Sequence, residues 1–265
     1  MPDLFDPQFH PFDFTVDTGR STLVIGIGGG CDIITACALA RSIFFRRNDG
    51  GMVVYANTKR SAPRTLTEIS RHVFRVPPEV YHNPNQRRWT GTLIDQAMPR
   101  GDDGCPLIFT CPRNENDHAD FASEIAELGF DRIVAVDTGG DVLSPNARSG
   151  DTGRDRQMLR VLARTKIPSI LAVVGPGCDG ETSAEELERC VRREAEQGGY
   201  LGAFSLQPLM NDLMTLSDPV GRTRTPRIIL EAMNHPPHEL FRVPRHARPE
   251  IPSRWLRVGL CFRIG

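Results

Sequence analysis

Short apolar runs alternate with amphipathic segments along most of this chain, and the alternation predicts strands and helices in turn. Thr22 to Ile27, with Leu23, Val24 and Ile25 in succession, reads as a buried strand. From Asp32 to Arg46 the apolar positions are Ile33, Ile34, Cys37, Ala40, Ile43 and Phe44, the spacing of one helix face. Met52 to Ala56 reads as the next strand, giving a β-α-β unit whose connection should be right-handed and whose strands should be parallel. The rhythm returns further on. Leu107–Thr110, Arg132–Val136 and Ile170–Val174 read as strands, and Ala119–Leu128, Arg154–Ala163 and Ser183–Glu196 as helices.

Elsewhere the pattern weakens. Residues 1–20 are rich in Phe, Pro and Asp without periodicity and read as an extended arm. Residues 58–103 are interrupted by Pro63, Pro77, Pro78, Pro84 and Pro99; short helices are expected at Leu66–Phe74 and Thr92–Met98, within an insertion or lid. Residues 207–265 read as a C-terminal extension: a short helix over Pro226–Met233, a Pro-rich loop over 235–252, and a last, antiparallel strand over Leu256–Ile264. Strands and helices alternating at this length predict an α/β fold, a Rossmann-like, doubly wound and mainly parallel sheet. Residues 1–265 are read as a single α/β domain carrying the arm, the insertion and the extension.

Composition narrows the class. A net charge of −1 gives no ground for nucleic acid or an anionic membrane surface as partner. No apolar run approaches the about 18 residues of a membrane span. Seven cysteines without a CxxC pair suit a reduced, cytoplasmic setting better than a disulfide framework. Lys59 and Lys166 are the only lysines, so positive charge is nearly all arginine, the residue suited to forked grips on phosphate or carboxylate. A small anionic or nucleotide-like molecule is the expected partner; a homo-oligomer is left open.

The candidate chemistry lies in three glycine turns that each deliver an acid. They are Gly26-Ile27-Gly28-Gly29-Gly30-Cys31-Asp32, Asp137-Thr138-Gly139-Gly140-Asp141 and Gly175-Pro176-Gly177-Cys178-Asp179-Gly180-Glu181. Each follows a predicted strand and precedes a predicted helix, which puts all three at the carboxyl edge of the sheet, where ligands bind in such folds. Gly28, Gly29 and Gly30 let a ligand approach the backbone, and amides at a helix start favour an anion. Cys31, Asn57, Thr138, Gly139, Gly140, Gly177 and Cys178 complete the expected ligand-binding set. Asp32, Asp137, Asp141, Asp179 and Glu181 are the candidate catalytic acids.

Each acid also has a plainer reading. Asp32 suits an N-cap, and Ser183 with Glu186 fits a capping box. Asp137 and Asp141, four residues apart across two glycines, either share a cation such as Mg²⁺ or Mn²⁺, raise one another's pKa, or diverge into separate hydrogen bonds. Asp151 and Asp155 flank Arg154 in a stretch that is equally a turn and a helix cap. Arg222, Arg224 and Arg227 form a basic cluster that either clamps an anion or stays solvated. His235-Pro-Pro-His238 is a poor zinc motif, since the prolines preclude helical spacing of the histidines. The first turn has Cys31 where a dinucleotide fingerprint has its third glycine, and Ala56-Asn57-Thr58 lacks the acid that holds a ribose diol.

The turns GIGGGCDI, VDTGGDVL and GPGCDGE, with the segment Gly153–Leu159, resemble an uncharacterised prokaryotic family catalogued as domain of unknown function one thousand one hundred and fifty-two. The likeness runs from about Leu23 to Leu206. Members usually have glycine where this chain has Cys31, and the resemblance implies an α/β fold and no particular activity. A fainter likeness is to nucleotide-binding proteins that include cytokinin-activating phosphoribohydrolases. It rests on Gly28-Gly29-Gly30 and on Pro176 to Thr182, and implies a nucleotide-like ligand. The function expected is hydrolysis of a nucleotide-like or phosphorylated small molecule, with clustered Asp residues activating water or holding a divalent ion. The alternatives are a non-catalytic nucleotide sensor and an NADP-linked oxidoreductase.

Overall fold

The computed structural model describes residues 3–14, 21–43, 52–62, 66–77, 106–144, 152–218 and 224–265. Its framework is a nine-stranded sheet. In chain order the strands are β1 (Thr22–Gly26), β2 (Val53–Lys59), β3 (Thr67–Ser70), β4 (Val73–Arg75), β5 (Leu107–Thr110), β6 (Arg132–Thr138), β7 (Ser169–Val174), β8 (Tyr200–Ser205) and β11 (Val258–Ile264). They lie in the order β3-β4-β5-β2-β1-β6-β7-β11-β8. The five central strands, β5 to β7 in that order, pair in parallel. The antiparallel additions are the β3–β4 pair at one edge and β11, inserted between β7 and β8, at the other.

Strands β1 and β2 are buried along their whole length, as continuous apolar runs in a parallel sheet covered on both faces should be. The helices are α1 (Asp32–Ile43), α2 (His118–Glu127), α3 (Thr152–Arg164), α4 (Ala184–Glu196), α5 (Met210–Ser217) and α6 (Thr225–Met233). Residues 32–40 of α1 are all buried, because the helix lies between β1, β2 and β6 on one side and α5 on the other. A helix apolar all round belongs in such a place. Helix α2 packs against α3.

Chain direction matters most for the site. From β1 the chain moves outward through β2 to β5, then returns to β6 on the other side of β1 and continues to β7. The strand order therefore reverses between β1 and β6. That is the topological switch point of a doubly wound sheet, and its crevice opens at the carboxyl ends of the strands.

Several expectations are corrected. Leu66–Phe74 is not a helix but contains the β3–β4 hairpin. Thr67, Ile69, Val73 and Phe74 are strand formers, and β4 gains a ladder by pairing with β5. The 235–252 segment is not all loop: β9 (Leu240–Arg242) and β10 (Glu250–Pro252) pair as an antiparallel hairpin. Tyr200–Ser205 and Met210–Ser217 form β8 and α5 without having been predicted. The helix expected at Thr92–Met98, and most of the insertion or lid, lie outside the described residues. The arm runs beside β8, where Phe12 N–H donates to the Ala203 carbonyl at 2.8 Å. Phe5 stacks on Trp255 at 3.9 Å, so the arm covers a sheet edge that would otherwise be open.

Candidate active site

The three glycine turns meet over the switch point. Gly28, Gly29, Gly30, Cys31 and Asp32 from the first, Asp137, Thr138 and Asp141 from the second, and Asp179 and Glu181 from the third all line one cavity of about 160 Å³. Arg154 and Asp155 enter from the first turn of α3, Arg224 and Thr225 from the start of α6, and Arg245 from the β9–β10 loop. Six carboxyl groups thus face three guanidinium groups in a small space.

Asp32 is the first residue of α1, yet its Oδ2 reaches back to accept the Gly28 N–H at 2.8 Å. Burial is the main influence on its pKa, raised to about 7 against opposing hydrogen bonds from Thr138 and Gly28. Gly28 is required by this closeness: a Cβ there would stand 2.5 Å from Asp32 Oδ2 and 3.1 Å from Asp155 Oδ2. Asp32 therefore clamps the turn rather than serving only as a helix cap.

Asp137 is the penultimate residue of β6 and is 2% exposed. Its Oδ2 accepts the Val142 N–H at 3.3 Å. Burial, then the charges of Asp141, Asp32, Asp155 and Asp179, push its pKa well above the carboxylate range. Carboxylate oxygens of Asp137, Asp141 and Asp155 lie within 4.8 Å of one another. Opposite oxygens about 2.1 Å from an octahedral ion would be about 4.2 Å apart, so a divalent ion with hard oxygen ligands fits this trio after a small contraction. The donor chemistry fits too, since all three are buried carboxyl groups, the hard oxygen ligands that such an ion takes.

Asp179 sits in the third turn, 5% exposed. Its Oδ1 accepts the Glu181 N–H at 2.9 Å, while its Oδ2 is buried without a hydrogen-bond partner among the described residues. Burial and the Asp141 charge raise its pKa to about 8. Glu181 Oε1 lies 3.3 Å from His246 Nε2. Ser183 is the N-cap of α4 and accepts from Glu186 N–H, as the capping-box spacing predicts.

The remaining expected residues surround the cavity instead of lining it. Asn57 is buried, its Oδ1 accepting the Thr58 N–H. Gly177 N–H donates to the Gly139 carbonyl at 2.6 Å, tying the second turn to the third. Gly140, at φ 89°, leaves room for Val173. Cys178 is fully buried, and burial pushes its thiol well up. The His235 ring pairs with Glu239, and neither residue lines the cavity. Asp151 and Arg222 lie outside the described residues.

Asp155 and Arg154 read in the sequence as a helix start, and only the fold shows that they enter the cavity. Nothing in the sequence marked Arg245. A larger cavity of about 760 Å³ lies over the β2–β5 edge, lined by residues such as Arg60, His72, Thr110 and Arg113. Among the described residues Glu68 is the one acid on its wall, so the concentrated chemistry is at the switch point.

Residues 60–233 match the model of a family described as protein of unknown function (DUF1152). The chain belongs to that family. The match covers the second and third turns, Arg154, Asp155 and Arg224, and extends past Leu206 into α6. The first turn and Arg245 fall outside it. No curated protein and no solved structure matches the chain. Among the described residues no helix is long and apolar enough to cross a membrane.

Proposed function

We propose that this chain is a small-molecule hydrolase acting on a phosphorylated or nucleotide-like ligand at the switch-point cavity. The observation that carries the reading is the convergence of Asp137, Asp141 and Asp155, whose carboxylate oxygens lie within 4.8 Å of one another beside three arginines. These acids would hold a divalent ion, which when bound lowers the pKa of a coordinated water and offsets developing negative charge.

The rest of the chemistry falls to the chain's own groups. Arg154, Arg224 and Arg245, with the Gly28–Gly30 turn, would orient the anion. Asp32 would take a proton from the attacking water. As the new bond to oxygen forms at the reacting centre and the bond to the leaving oxygen breaks, Asp179 would give that oxygen its proton. Burial raises both acids, Asp32 to about 7 and Asp179 to about 8, so Asp32 is the first of the two to give up its proton and Asp179 the one that keeps it longer. The reading places the enzyme in the cytoplasm, a setting supported by the unpaired state of the six described cysteines.

The test is turnover of a panel of phosphate esters and nucleotides with and without Mn²⁺, by the wild type and Asp137→Asn. The reading expects hydrolysis that needs the ion and is lost in the variant. Ligand binding without turnover, preserved in Asp137→Asn, would instead favour a sensor.

A further inference from the structure

The β9–β10 hairpin lies beyond the matched family span, yet it closes one wall of the cavity. Its loop presses on the third turn: a Cβ on Gly180 would stand 2.5 Å from the Arg245 carbonyl oxygen and 3.2 Å from Val243 Cγ1. Val243 is fully buried, and its N–H donates to the Pro249 carbonyl at 3.0 Å. Arg248 N–H donates to the Arg245 carbonyl at 2.8 Å. His246 and Arg248 hold φ values of 47° and 52°, a conformation that costs a non-glycine residue and persists only where its surroundings impose it.

Two side chains connect this loop to the site. Arg245 lines the cavity, and His246 Nε2 lies 3.3 Å from Glu181 Oε1 and 3.3 Å from Arg245 Nη2. Arg224, the N-cap of α6, and Thr225, the first residue of that helix, line the same cavity. The start of a helix directs unpaired amides and the positive end of its dipole at a ligand. Asp179 supplies an independent pointer to an occupant. Asp179 lines the cavity, and its Oδ2 is buried with no hydrogen-bond partner among the described residues.

We infer that the 243–249 loop is the substrate-gripping wall of this site, with Arg245 and Arg224 clamping a phosphoryl group of the substrate and the Glu181–His246 contact holding the loop in place. The inference rests on the hydrolase reading for the meaning of the grip, but it can be tested without turnover. A phosphoryl group offers three oxygens to converging guanidinium forks, whereas a carboxylate offers two. The arrangement therefore favours a phosphate ester or anhydride over a carboxylic acid.

The test uses the full chain and two probes, inorganic phosphate and malonate, titrated calorimetrically with and without Mn²⁺. Mn²⁺ affinity is measured separately by electron paramagnetic resonance. Phosphate should bind the wild type more tightly than malonate does. Arg245→Gln should weaken phosphate about tenfold or more, the loss of a charge-assisted hydrogen bond, with Mn²⁺ affinity not reduced. Arg245→Lys should recover part of the loss, separating charge from folding damage, and circular dichroism should match the wild type. Equal phosphate affinity in wild type and Arg245→Gln, or a preference for malonate, would overturn the inference. Failure of the wild type to bind Mn²⁺ would instead count against the ion in the hydrolase reading, and the phosphate titrations would still decide the role of Arg245.

Discussion

Asp179 packs so closely on Gly139 that a Cβ at residue 139 would stand 2.2 Å from Asp179 Oδ2. The second turn thus makes room for the acid of the third, and Gly139 also holds φ 127°, which favours glycine. Gly139→Ala should cost about 1–3 kcal/mol in backbone strain, and more if Asp179 cannot yield. Urea unfolding should show the loss, with activity falling further than stability because the displaced group is the proposed proton donor. An unchanged unfolding midpoint would mean that the two turns are not coupled in this way.

Asp137→Asn should behave differently. The substitution removes one of several buried carboxyl groups that raise one another's pKa, and an amide oxygen can still accept the Val142 N–H. Without added metal the variant should melt at or above the wild-type temperature, while any stabilisation by Mg²⁺ or Mn²⁺ disappears. A collapsed fold would make Asp137 a structural residue.

Stability should depend on pH in a direction opposite to that of ordinary salt-bridged acids. Asp32, Asp137 and Asp179 have raised pKa values in the folded protein, about 7 for Asp32 and about 8 for Asp179. The native state therefore holds more protons than the unfolded chain between the ordinary carboxylate range and about 8. By linkage, stability is greatest below that window and declines as pH rises through it. Melting temperatures of metal-free protein should fall across this range, and saturating Mn²⁺ should flatten the slope by replacing protons. A metal-free profile that rises through the window would contradict the cluster's electrostatics.

Cys31 lines the cavity but is a poor nucleophile on chemical grounds: burial above all, with Asp32 adding to it, raises its thiol to about 11. Cys31→Ser should keep most of the turnover. A loss of a hundredfold or more would give the thiol a role that the geometry does not suggest.

Much of this site is legible in the sequence because each turn joins an apolar strand to a helix, a local pattern that survives into the fold. Asp32, Asp137, Asp141, Asp179 and Glu181 all reach the cavity as their turn positions imply. Asp155 resembles an ordinary acid at a helix start, and its place beside Gly28 shows only in the fold. Arg245 is harder still, since it arrives on a hairpin whose prolines hide the strands. The β3–β4 region reads as helix because Leu66, Ile69, Val73 and Phe74 also meet helical spacing; pairing with β5 decides between the two. In β8, Gly202 and the short run obscure a strand that the neighbouring β11 and the arm secure.

The most direct test of the account is the Mn²⁺ stoichiometry of purified wild type, Asp155→Asn and Glu68→Gln, measured by electron paramagnetic resonance. Asp155 joins Asp137 and Asp141 in the trio, whereas Glu68 lies on the separate β2–β5 cavity. The account predicts one ion per chain in the wild type and in Glu68→Gln, with binding at least tenfold weaker in Asp155→Asn, the scale of losing one charged ligand. Absence of binding in the wild type, or equal binding in all three proteins, would contradict it.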